Sequence, residues 1–68
     1  MIKEAIAAVV DGKDISRKEA KEVFDEIMQG KATDAQIAAL LVGLRMKGET
    51  SNEIAGAAES MRNVVAKV

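Results

Sequence analysis

The chain has 68 residues, 10 basic and 11 acidic side chains, a net charge of -1, and no cysteine, histidine, proline, tryptophan or tyrosine. That balance argues against nucleic-acid or membrane-surface binding through bulk charge, and the absence of His and Cys all but removes zinc from consideration. No apolar run approaches the roughly 20 residues that span a bilayer, so the sequence reads as one small, soluble, cytoplasmic domain without membrane or nucleic-acid partners.

The expected fold is all-α, a compact bundle of four short helices at about 2–11, 17–29, 34–47 and 51–66, forming a single domain over 1–68. The first helix gathers Ile2, Ala5, Ile6 and Val9 on one stripe, with Lys3, Glu4 and Asp11 away from it. Asp11-Gly12-Lys13-Asp14 follows as a plain turn, since it lacks the further oxygen ligands and closing Glu of a calcium loop. The second helix opens at Ser16 and gathers Ala20, Val23, Phe24, Ile27 and Met28. Its charged residues, Arg17, Lys18, Lys21, Glu22, Asp25 and Glu26, are expected to face water, with Lys18–Glu22 and Lys21–Asp25 as i,i+4 pairs.

Ser16, Thr33 and Thr50 each stand three residues before a Glu or Gln, the signature of a capping box in which two orphan amides are satisfied reciprocally. Gly12, Gly30 and Gly48 stand just ahead of these starts, where a left-handed residue can close the preceding helix. The starts fall at even spacing, but the helices share nothing beyond their caps, so the regularity reads as punctuation rather than duplication. The fourth helix is expected to gather Ile54, Ala57, Ala58, Met61, Val64, Val65 and Val68, opposite Glu59, Asn63 and Lys67.

The third helix is apolar on two sides. Ile37, Leu40, Leu41 and Leu44 fall on one; Ala35, Ala39, Val42, Gly43 and Met46 fall roughly opposite. Gly43 weakens a helix by roughly 1 kcal/mol relative to alanine, so something must lie against it closely. Either this is the central helix of the bundle, or one side meets a partner outside the chain. Twelve alanines and a single aromatic, Phe24, make a thin core, and below roughly 70–80 residues such a core rarely supplies more than ~3–5 kcal/mol. Both facts favour an outside partner, with Ala35, Ala39, Val42, Gly43 and Met46 as the candidate interface and Gly43→Leu expected to harm the dimer more than the fold.

Catalytic, cofactor-binding and metal-ligating constellations are not found. Nucleophilic catalysis needs a base beside a nucleophile, and the hydroxyls sit mostly at caps. Glu22, Asp25 and Glu26 lie on a charged helix face rather than in a pocket with separated pKa values. Gly48-Glu49-Thr50 could hold a phosphate at a helix start, but the capping box uses those amides and Glu49 repels an anion.

Gly12-Lys13-Asp14 with Ser16-Arg17-Lys18-Glu19-Ala20, then Glu26-Ile27-Met28, Gln36-Ile37-Ala38-Ala39, Leu44-Arg45-Met46-Lys47-Gly48-Glu49-Thr50 and Glu53-Ile54-Ala55-Gly56 form a pattern over nearly the whole chain. It resembles the helical N-terminal segment of anthranilate phosphoribosyltransferases, within glycosyltransferase family 3 and its pyrimidine-nucleoside phosphorylase relatives. Asp34 and Ser51 depart from the proline often found there, and both suit a first helical turn. The resemblance implies a parent enzyme that moves the phosphoribosyl group of phosphoribosyl pyrophosphate to anthranilate, with magnesium, in tryptophan biosynthesis. Its substrate motifs, including a Gly-Thr-Gly-Gly-Asp loop, belong to a larger α/β domain, so no catalytic residue and no cofactor is carried over to this chain. What it implies here is a non-catalytic module for homodimerisation and for closure against the α/β catalytic domain. The alternatives are the matching segment of a pyrimidine-nucleoside phosphorylase and a free-standing or designed helical interaction bundle.

Overall fold

The computed structural model describes residues 2–66, with side-chain surroundings through Arg62. The fold is all-α: α1 (Ile2–Val10), α2 (Arg17–Met28), α3 (Asp34–Lys47) and α4 (Ser51–Ala66). The first two helices stop one residue earlier than the periodicity suggests, because Asp11 and Gln29 belong to the turns that close them.

All three capping boxes are formed. The hydroxyls of Ser16, Thr33 and Thr50 accept from the amides of Glu19, Gln36 and Glu53, each at 3.1 Å. The side chains of those same residues accept from the cap amides at 3.0, 3.0 and 2.9 Å. Local chemistry alone therefore places the helix starts. Gly12, Gly30 and Gly48 take φ of 78°, 74° and 86° at the helix ends, a region that costs other residues a steric clash.

The helices pack as two pairs, α2 on α4 and α1 on α3, joined by a smaller contact between α1 and α2. The Cα framework measures 36 × 25 × 16 Å, thin enough that one helix has little chance of being enclosed on all sides. Ile2, Ala5, Val9, Ile15, Ala20, Val23, Leu40 and Leu44 form the core, with Ile6, Ala8, Phe24, Ile27 and Ala32 packed around it.

Two helix faces differ from the sequence expectation. On α4 the inward stripe is Glu53, Gly56 and Ser60, while Ile54 is 58% exposed and Met61 is also on the surface; the expected Val64, Val65 and Val68 lie outside the described side chains. The reason is Gly56. A Cβ there would strike the Arg17 carbonyl oxygen and come within 2.8 Å of Ala20 Cβ and 2.9 Å of the Lys21 amide nitrogen. α2 and α4 thus cross backbone against backbone, and a small residue at the crossing outweighs the larger apolar ones beside it.

On α2 the expected water-facing set is divided. Lys21 does pair with Asp25, at 2.7 Å, but Asp25 is half-buried and also accepts a 2.5 Å hydrogen bond from Ser60 Oγ on α4. Arg17 approaches Glu59 of α4 at 3.7 Å. These groups flank the α2–α4 crossing. Met28, expected inward, is exposed.

Candidate functional site

The third helix meets α1 at Gly43. Gly43 is buried, and a Cβ added to it would lie 2.6 Å from Val9 Cγ2 and 3.4 Å from Val10 Cγ1. The close approach that a small residue permits is therefore used inside the chain, by α1. This corrects the expectation that Gly43 marks an outside partner, and it reverses the expected outcome for Gly43→Leu, which now threatens the fold first. Even Gly43→Ala is expected to lower the melting temperature: overpacking against a buried Val9 costs about 1–3 kcal/mol, more than the roughly 1 kcal/mol gained in helix propensity. Thermal unfolding followed by circular dichroism checks this.

Beside this contact α1 and α3 leave an open groove of 530 Å³ lined by Val9, Val10, Ala39, Val42, Gly43 and Met46, together with Asp11, Gly12 and Lys47 from the residues that end the two helices. Met46 is 83% exposed and Val42 57%. Of the five residues singled out from the sequence, Ala39, Val42 and Met46 line this groove, Gly43 forms its floor, and Ala35 is exposed but apart from it. Val10, also exposed, completes the apolar wall. The helical stripe of α1 passed over it, although the doublet Val9-Val10 puts one valine inward and the next outward at 100° per residue.

Lys47 in the groove lining is not a free cation. Its Nζ donates to Glu53 Oε1 at 2.7 Å, to Asp14 Oδ1 at 3.0 Å and to the Gly48 carbonyl at 3.1 Å. The Lys47 and Glu53 side chains are 4% and 2% exposed. Glu53 Oε2 accepts the Ile15 amide at 2.8 Å, and Oε1 also accepts the Thr50 amide. One carboxylate thus caps α4, pairs with the last turn of α3 and holds the connection between α1 and α2.

Burial works against both charges, but the hydrogen bonds win. Those from Lys47, Ile15 and Thr50 hold the Glu53 carboxyl below its ordinary range, and those to Glu53 and Asp14 raise the Lys47 ammonium above its own. The Glu53 contribution to stability is therefore present above a pH of about 4.5 and is lost as pH falls through the lowered value. The Lys47 contribution is present below about 10.5 and is lost only as pH rises through the raised value. Urea midpoints measured from neutral pH down into the acid range should converge for the native chain and Glu53→Gln as pH falls.

No described helix is long and apolar enough to cross a membrane, and among the described residues no group of acidic side chains is placed to hold a metal ion.

Residues 3–65 match the family described as "Glycosyl transferase family, helical bundle domain". The chain belongs to that family. It is 53% identical over 68 residues to the anthranilate phosphoribosyltransferase of Persephonella marina, 56% over 68 to that of Geotalea daltonii and 57% over 67 to that of a Marinomonas species. These matches take in 98–100% of this chain but only 19–20% of the relatives, so the chain spans about a fifth of their length. The motif pieces that carried the resemblance now have structural reasons. Ser16 and Thr50 cap helices, Leu44 is core, Lys47 and Glu53 are the buried pair, and Gly56 is the α2–α4 crossing.

Proposed function

We propose that this chain is the helical module through which an anthranilate phosphoribosyltransferase dimerises and against which its α/β catalytic domain closes. The whole polypeptide would transfer the phosphoribosyl group of phosphoribosyl pyrophosphate to anthranilate, with magnesium, in tryptophan biosynthesis. No residue of the 68 is assigned to the chemistry and none to a cofactor; the module's contribution is assembly. Identity above 50% along the full chain to anthranilate phosphoribosyltransferases supports the enzyme over a nucleoside phosphorylase.

The observation that carries the self-association reading is the α1–α3 groove. Val10, Val42 and Met46 lie exposed together along it, and contiguous apolar surface of that kind on a small domain marks a contact surface. Two copies placed groove to groove would bury the same residues from each side, as a two-fold interface requires.

Sedimentation equilibrium tests this. The native chain is expected to dimerise, and Met46→Glu to raise the dissociation constant about 30-fold or more, the scale of an interface anchor worth 2 kcal/mol. Because Met46 is exposed, its melting temperature as a monomer should stay within the range of ordinary surface substitutions, about 0.5 kcal/mol. A native chain that stays monomeric at high micromolar concentration, or a Met46→Glu chain that dimerises as well as the native one, overturns the reading.

A further inference from the structure

We propose that the α1–α2 connection is a latched segment that opens as a unit separate from the helix bundle, and that Glu53, braced by Lys47 and Asp14, is the latch. The connection has little of its own to hold it down. Asp11, Gly12, Lys13 and Asp14 are all exposed, and the Gly12 and Lys13 amides donate to Val9 and Ala8 carbonyls of α1 itself, at 3.0 and 2.9 Å. Among the described residues its attachments to α3 and α4 are the buried Ile15 side chain and two polar links. The Ile15 amide donates to Glu53 Oε2 at 2.8 Å, and Asp14 Oδ1 accepts from Lys47 Nζ at 3.0 Å. Both links converge on one ion pair, since Lys47 and Glu53 are themselves joined at 2.7 Å.

A segment with few buried apolar contacts and a single point of polar attachment is the kind that opens below the free energy of global unfolding. The latch also reaches the surface groove. Asp11, Gly12 and Lys47 are among the residues that line the groove, so opening of the connection would change that lining.

Amide hydrogen exchange read by NMR on the 68-residue chain at neutral pH tests this. In the native chain the Ile15 amide should exchange through an opening of lower free energy and weaker urea dependence than the Val23 and Leu40 amides of the core, and in Glu53→Gln its protection should fall roughly tenfold or more, as expected when a hydrogen bond to a charged group is weakened. Asp14→Ala, made at an exposed carboxylate, should produce a smaller loss at Ile15. The proposal is overturned if the Ile15 amide shares the opening free energy and urea dependence of Val23 and Leu40, which would make the connection and the bundle one cooperative unit, or if its protection is unaffected in both variants, which would mean that Glu53 is not the latch.

Discussion

Gly56→Leu is expected to abolish the cooperative fold of the chain. The obstacle is backbone and not a side-chain tip: a Cβ at this position runs into the Arg17 carbonyl and the Lys21 amide nitrogen, with Ala20 Cβ between them. None of these can move without lifting α2 away from α4, the most extensive helix contact in the molecule. Overpacking of a tight core commonly costs about 1–3 kcal/mol and sometimes more; a whole side chain at a backbone crossing belongs at the upper end. A domain of this size holds only about 3–5 kcal/mol in total. Circular dichroism should show much of the helical signal gone at room temperature and no sigmoidal melt. Substituting the neighbouring exposed Ile54 by alanine should leave the melt nearly unchanged, which separates the crossing from the helix that carries it.

Leu40→Ala and Leu41→Ala are expected to differ severalfold in cost although they are neighbours on one helix. Leu40 is fully buried in the core, whereas Leu41 is 48% exposed. Truncating a buried leucine removes transfer free energy and leaves a cavity, about 2–5 kcal/mol together, enough to consume most of what the domain has. Leu41 should lose only a fraction of that, because half of its surface is already in water and no closed cavity forms. Urea unfolding of the two variants checks the ranking. Equal losses would mean that α3 buries its leucine face as a block, which the thin packing does not allow.

Helix number, bounds and starts were legible in the sequence because the signals are local: a hydroxyl, a Glu or Gln three residues on, and a glycine behind. Which face turns inward was less legible. On α4 the hydrophobic period pointed at Ile54 and Met61, yet Gly56 decides the face, and Glu53 and Ser60 go inward with it. They can do so because Lys47, the Ile15 and Thr50 amides and Asp25 supply their hydrogen bonds, which no period counts. Gly56 carried the same signal as Gly43, a glycine in mid-helix. Gly43 in turn was read as a point of close approach from outside the chain, whereas the Val9 and Val10 side chains of α1 lie against it, since a small residue states a distance and not a partner. Ile15 was missed because it lies between helices. Its place just ahead of the Ser16 cap, four residues after which Ala20 enters the core, is the hydrophobic-staple pattern that could have found it. The ion pair was out of reach because Lys47 and Glu53 each had a sufficient local explanation, a helix C-terminus and a capping box.

The groove itself was half legible: Ala39, Val42 and Met46 from the two-sided third helix, without Val10 from the first. What occupies it is the central question. The most direct measurement mixes isotopically labelled and unlabelled copies of the chain and records only NMR contacts between them. The expected result is intermolecular contacts from the methyl groups of Val10, Val42 and Met46, with none from Leu41 or Ile54 on the opposite side. Contacts that instead centre on Leu41 and Ile54, or none at a concentration where the chain is dimeric by sedimentation, would contradict the assignment of the α1–α3 groove as the self-association surface.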